Sequence, residues 1–207
     1  MKEVNVSQAT LRRLPQYLRV MREKEDISYI SSTIIAEELK LNPVQVRKDL
    51  ALISQSDGKP GLGFEIKELI KELEKFLGFH NRNDAIIVGA GRLGQALLSY
   101  HGFGENLNIV MAFDIDEKKV NHENVFSINK MKELVKERNI KIGIITVPKE
   151  QAQLVCDLLI DCGINAIWNF APKNLKVPET IVIKNEDLTA SILILLKQLD
   201  KKYEDQA

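Results

Sequence analysis

An α/β fold with a doubly wound parallel sheet, preceded by a small helical domain, is what this sequence predicts. Three observations carry the prediction. Residues 85–94 run four apolar positions into Gly89, Gly91 and Gly94, the spacing of a buried strand that turns tightly into a helix. After that turn, apolar strand-like runs alternate with helix-period segments. Before it, two short helical segments meet at a tight turn, as in a helix-turn-helix.

Composition bounds the rest. The 207 residues are 44% hydrophobic and 28% charged, enough for a real core and too polar for a membrane protein. No apolar run approaches the roughly 20 residues that span a bilayer, and the start of the chain has no apolar stretch of a secretory signal. A cytoplasmic protein without membrane partners is expected. Cys156 and Cys162 share one predicted helix on different faces, so they read as reduced, half-buried hydrophobes. Basic and acidic residues number 29 each, so any nucleic-acid argument has to rest on local charge.

The chain begins with helical spacing over 7–24, where Leu11, Leu14, Leu18 and Met21 recur at threes and fours. Pro15 either kinks this helix or restarts it. Arg12, Arg13, Arg19 and Arg22 make it basic. Ser31 and Ser32 read as a cap for a helix over 33–39. A turn over 40–42 leads to a third helix, with Asn42 as cap, Pro43 first and Gln45 placed as in a capping box. At 100° per residue, Val46, Leu50 and Ile53 form its buried stripe. Lys48 points away from that stripe, flanked by Gln45 and Arg47, the face that would enter a major groove. The glycine-dense stretch 57–64 around Lys59 has the place of a wing. A helix with Ile66, Leu69, Ile70, Leu73, Phe76 and Leu77 on one face follows, and the polar stretch 79–84 reads as the domain boundary.

The second half then alternates. Strands are expected at 85–88, 108–113, 125–128, 142–147, 166–170 and 180–183, with helices after the glycine turn and over 130–138 and 150–162. In a dinucleotide fold Gly89 makes the turn, Gly91 lets the backbone approach a pyrophosphate, and Gly94 lets helix and sheet pack closely. Asp114 ends the second strand about 20 residues on, where a carboxylate can bond a ribose 2′-hydroxyl and repel a 2′-phosphate. Lys118 and Lys119 stand close by. Ligands in such sheets bind beyond the carboxyl ends of the strands, which gathers Gly89, Asp114, 146–148 and 169–172 around one crevice. A terminal helix over 187–203, with Leu188, Ile192, Leu195, Leu196 and Leu199 in one stripe, needs cover from its own domain or a second subunit. His80, His101 and His122 are scattered and suggest neither a catalytic triad nor a metal cluster.

Taken together these motifs resemble the Rex family of redox-sensing transcriptional repressors over almost the whole chain. The resemblance rests on Ser7, Thr10, Arg13, Leu14, Pro15, Tyr17 and Arg19 in the first helix, and on Val46, Arg47, Lys48, Asp49 and Leu50 in the third. It continues through Lys59 and its flanking glycines, the 89–94 turn, 112–114, 146–148, Ala152, Gln153 and 169–172. It implies a winged-helix DNA-binding domain (1–80), then a Rossmann NAD(H)-binding domain with a C-terminal dimerisation helix (84–207) exchanged in a homodimer. It implies a repressor that binds inverted-repeat operators in double-stranded DNA. NADH would release it, and NAD+ would compete without releasing it. On this reading Arg13, Arg19, Ser32, Gln45, Arg47, Lys48 and Lys59 serve DNA. Gly89, Ala90, Gly91, Arg92, Leu93, Gly94, Asp114, Thr146, Val147, Pro148, Asn169 and Phe170 serve the nucleotide, with no catalytic residue and no metal.

The chain departs from the family pattern in places. Leu52 and Ile53 stand where aromatics are usual, Ser54 where glycine is, Pro60 where a basic residue is, and Phe64 where tyrosine is. The segment 55–57 is one residue longer than usual. These bear on operator sequence. Arg92 and Lys149 add charge near the expected phosphates. The alternatives are an NAD-dependent oxidoreductase, a CoA-binding Rossmann module, and a family member with an altered operator or no nucleotide response. Against the first, no length remains for a substrate domain and no acid or base stands out.

Overall fold

The computed structural model describes residues 6–55, 58–79, 81–104, 106–120 and 124–204. It forms two compact units, dividing between Asn81 and Arg82. Ser56, Asp57, His80 and His122 lie outside the described residues.

The first unit is built on four helices: α1 (Gln8–Glu23), α2 (Ser32–Leu39), α3 (Pro43–Ala51) and α4 (Ile66–Phe76). Two short strands, β1 (Tyr29–Ile30) and β2 (Phe64–Glu65), pair antiparallel. α1 runs as one helix through Pro15, whose ring lies on the exposed side. Ser7 and Ser31 cap α1 and α2 by accepting the Thr10 and Ile34 N–H groups. The turn between α2 and α3 is tight because Lys40 takes a left-handed conformation, φ 54°. Asn42 caps α3 by accepting the Val44 N–H at 2.8 Å. The expected capping box is incomplete, because the Gln45 amide turns forward along α3 to Asp49. Leu14, Tyr17, Leu18 and Met21 of α1 meet Ile35, Val46, Leu50, Ile66, Leu69 and Leu73 in one core. Truncating a fully buried leucine here to alanine would cost about 2–5 kcal/mol. The wing hairpin closes through paired bonds between Lys59 and Gly63. Gly63 has φ +90° and lies against the Ile30 carbonyl, so a side chain fits there neither sterically nor conformationally.

The second unit is a six-stranded parallel sheet. Its strands are β3 (Asn83–Val88), β4 (Leu107–Asp114), β5 (Val125–Ser127), β6 (Ile142–Ile145), β7 (Ala166–Asn169) and β8 (Val182–Asn185). They lie in the order β5-β4-β3-β6-β7-β8, so the order reverses between β3 and β6. Alternation along β3 explains why both faces are covered. Ile86 and Val88 pack with Met131, Val135, Val155 and Leu159 from α6 (Met131–Glu137) and α7 (Ala152–Asp161). Ala85 and Ile87 belong to a separate cluster with Leu97 and Leu98 from α5 (Arg92–Leu98).

The strands shift from the expected ranges by at most two residues at either end, most in β3, β6 and β8. β6 stops at Ile145, after which the Thr146 N–H still donates to the Val88 carbonyl and the Thr146 hydroxyl turns to the Gly89 carbonyl. β8 starts at Val182, after a turn in which the Ile181 N–H donates to the Pro178 carbonyl. Both cysteines are free thiols. Cys156 is buried, and burial pushes its pKa up to about 11. The last helix, α8 (Leu188–Glu204), leaves Leu188, Ile192, Leu195, Leu196 and Leu199 between 44 and 65% exposed. Among the described residues no helix is long and apolar enough to cross a membrane.

Candidate nucleotide cleft and nucleic-acid interface

The reversal of strand order opens a cleft of about 550 Å³ at the carboxyl ends of β3, β4 and β6. Gly89, Gly91, Leu93, Asp114, Thr146, Val147, Pro148 and Phe170 line it. The three glycines of the turn do different work. Gly89 has φ +107°, and a Cβ there would sit 2.8 Å from the Thr146 carbonyl oxygen. A Cβ on Gly94 would collide with the Gly89 carbonyl oxygen. Both are close-packing glycines. Gly91 is the opposite case: a Cβ there meets no protein atom within 4 Å. The space before it is open on the cleft side, where the backbone can come up to a bulky polyphosphate. The first N–H groups of α5, which follow at once, have no acceptor inside the helix. Thr146 fixes the floor by donating its hydroxyl to the Gly89 carbonyl at 2.7 Å.

Asp114 is 7% exposed and sits at the cleft wall. Its Oδ2 accepts the Ala90 N–H at 2.8 Å and the Lys119 ammonium at 3.1 Å, and its Oδ1 accepts the Asp116 N–H at 2.9 Å. Burial pushes the carboxyl pKa up, but the Asp116 N–H, Lys119 and the Ala90 N–H outweigh it and hold the group ionised. Three donors fill three of about four acceptor positions on a carboxylate. One position on Oδ1 is left for a ligand hydroxyl. Cleft volume, open glycine and spare acceptor together fit a dinucleotide.

Four of the expected nucleotide residues stand off the cleft lining. Ala90 acts through its backbone, tying the turn to Asp114. Gly94 lies beneath Gly89. Arg92 is exposed at the start of α5. Asn169 is wholly buried, donates to the Ala171 and Lys173 carbonyls and to Asn185, and accepts the Ala171 N–H. It shapes the loop that presents Phe170. Sequence reading missed Ile115, Asp116, Ile128, Gln151 and Val155 on the lining. The alternation of the Asp114 segment was a usable signal for Asp116, since residues two apart share a side.

In the first unit, a surface groove of about 610 Å³ runs between the start of α2, the face of α3 and the wing. Ser32, Arg47 and Lys59 line it together. Lys59 donates to the Tyr29 hydroxyl at 2.6 Å and lies 4.8 Å over its ring. Lys48 and Arg19 are exposed. Two of the expected DNA residues spend side-chain donors on Asp49 of their own unit, although Gln45 stays exposed. Arg13 donates to Asp49 through Nε (2.7 Å) and Nη2 (3.0 Å), and Gln45 donates to Asp49 Oδ1 at 3.1 Å. Thr10 and Tyr17 add hydroxyl donors at 3.2 and 2.8 Å. Asp49, 2% exposed, thus receives five bonds and docks α3 on α1. Burial pushes its carboxyl up, and the bonds from Arg13, Tyr17 and Gln45 more than reverse this. Tyr17 is pushed up to about 12 by burial and by the carboxylate beside it.

These features define a class: a winged-helix unit joined to a doubly wound sheet with a dinucleotide-type cleft. Family models match each half, one described as "Putative DNA-binding protein N-terminus" over residues 5–51 and one as "CoA binding domain" over residues 80–173. The redox-sensing transcriptional repressor Rex of Treponema denticola is 42% identical over 93% of this chain and 95% of its own length. That of Carboxydothermus hydrogenoformans is 40% identical over 94% and 97%. Crystal structures of RSP, a Rex-family repressor, are similar throughout. The complex with NAD+ and operator DNA has TM-score 0.88 and 34% identity over 98% of this chain and 96% of RSP. The NADH complex has TM-score 0.86 and 34% identity over 97% of each. This chain belongs to the Rex family of transcriptional repressors.

Proposed function

We propose that this chain is a homodimeric, DNA-binding transcriptional repressor of the cytoplasm that senses the NADH/NAD+ ratio, and that NADH releases it from an inverted-repeat operator. The observation that carries the reading is the pairing, in one chain, of a basic winged-helix groove with a cleft that keeps an acceptor position open on Asp114. RSP, similar over nearly the full chain, has been captured with NAD+ on operator DNA and separately with NADH. Arg47, Lys48, Lys59, Ser32 and Arg19 meet DNA in this reading, while Arg13 and Gln45 hold the reading helix in place. The glycine turn takes the pyrophosphate, and Asp114 takes the adenosine ribose. A second copy covers the apolar face of α8, by exchange of that helix. In this reading the protein acts as a regulator and not as an enzyme, in line with the Rex repressors it resembles.

The two forms of the bound nicotinamide differ in two respects, one positive charge and the ring's planarity. NADH shifts the dimer only by its differential affinity for the DNA-binding and released arrangements. Fluorescence anisotropy on the protein's own promoter region tests this at fixed salt, because phosphate contacts make the affinity salt-dependent. The expected result is release by NADH and none by NAD+. CoA serves as the control ligand, given the family description of residues 80–173. Tight DNA binding indifferent to NADH would overturn the reading.

A further inference from the structure

We propose that Lys119 is a second specificity-determining residue of the ribose subsite. With it, the cleft admits a 2′-phosphate, so this chain binds NADP(H) measurably while still preferring NAD(H). The inference rests on the nucleotide reading above and deepens it. An acid at the end of the second strand excludes a 2′-phosphate by repulsion when it stands alone. Here it does not stand alone. The Lys119 ammonium lies 3.1 Å from Asp114 Oδ2 and 3.9 Å from Asp116 Oδ2, and Lys119 lines the cleft with both acids. The formal charge at the subsite is therefore −1, where the two acids alone would give −2.

The three side chains differ in freedom. Asp114 is fixed by the Ala90 and Asp116 N–H groups, and Asp116 caps its own turn by accepting the Lys118 N–H at 3.0 Å. Lys119 is 38% exposed, and its flexible four-carbon stem carries a point charge that can be re-aimed. With a ribose hydroxyl in place it stays on Asp114. With a 2′-phosphate in place it can swing to the dianion and offset the repulsion from the two carboxylates. Lys118 is also basic but does not line the cleft, so the effect belongs to Lys119.

The test is isothermal titration of the full-length protein with NADH and NADPH, comparing wild type with Lys119→Met and Lys119→Gln. Both variants should raise the ratio of the NADPH to the NADH dissociation constant by about tenfold, the scale of one charge at contact distance in a partly solvated site. The fragments 2′,5′-ADP and AMP should show the same split. The difference should shrink as salt is raised, since the subsite is partly open to solvent. NADH binding with a ratio within twofold of wild type in both variants would overturn this inference alone. Failure of the wild type to bind either nucleotide would overturn the proposed function, and the inference with it.

Discussion

Asp49 and Asp114 are both buried carboxylates held ionised by their neighbours, yet their donors come from different places. Asp49 draws three of its four partners from α1, 32 to 39 residues away in sequence, and all of them are side chains. Asp114 draws on two backbone N–H groups and a lysine five residues on. Five donors use up the first carboxylate, and three leave the second with a face to the cleft. A carboxylate saturated by side chains from another helix is a structural rivet. One seated by two backbone N–H groups, with an acceptor position to spare, is built to take a ligand donor. The contrast sets an acid that serves the fold against the acid proposed to serve the ligand.

Asp49→Ala is the strongest way to break that comparison. It leaves the Arg13 guanidinium and the Tyr17 hydroxyl without their acceptor, and removing one partner of a buried pair costs about 3–5 kcal/mol. Because Arg13 is partly exposed, the lower end of that range is expected. Urea unfolding followed by circular dichroism should show the loss, whereas Asp114→Ala should cost about 1–2 kcal/mol there. The order should invert for NADH titration, where Asp114→Ala weakens binding and Asp49→Ala does not.

A glycine pair sharpens the same distinction. Gly94→Ala forces a methyl into the Gly89 carbonyl and should destabilise by about 1–3 kcal/mol. Gly91→Ala has open space and an ordinary backbone, φ −77°, so unfolding should hardly change. Its methyl instead stands where the pyrophosphate would come, and NADH affinity should fall. If Gly91→Ala left NADH affinity intact, the pyrophosphate would not lie there.

The smallest expected effect is a pH dependence. The folded-state pKa of Tyr17 lies above its ordinary value of 10, at about 12. The neutral form is therefore favoured by folding. That contribution is complete below pH 10 and is lost as pH rises through about 12. Tyr17→Phe should be about 1 kcal/mol less stable at pH 8. It should lack the extra loss of stability that wild type shows between pH 10 and 12.

How much of this could be read from the chain follows the same divide. The cleft was legible because its parts are local: a strand, three glycines in six residues, and an acid at the next strand end. The rivet was not legible as such. The third helix presented Asp49 as one polar residue beside an apolar stripe, and at 100° per residue it lies only about 60° from Val46. Its partners Thr10, Arg13 and Tyr17 share a face of α1 at spacings of three and four, but nothing local says that the two faces meet. From the sequence Gln45 and Arg13 read as DNA contacts, and nothing there showed that their side chains also bond Asp49. The burial of Asn169 was hidden for a related reason. A polar residue at a strand end suggests a ligand contact, yet here the loop that follows turns back and bonds to it.

The most direct test of the account is linkage. If NADH acts by favouring a released arrangement, operator DNA must weaken NADH binding by the same factor by which NADH weakens operator binding. NADH affinity should be measured with and without saturating operator, in one buffer at one salt concentration. Equal factors in the two directions, with NAD+ giving a factor near one, are the predicted result. NADH affinity unchanged by operator DNA would contradict it.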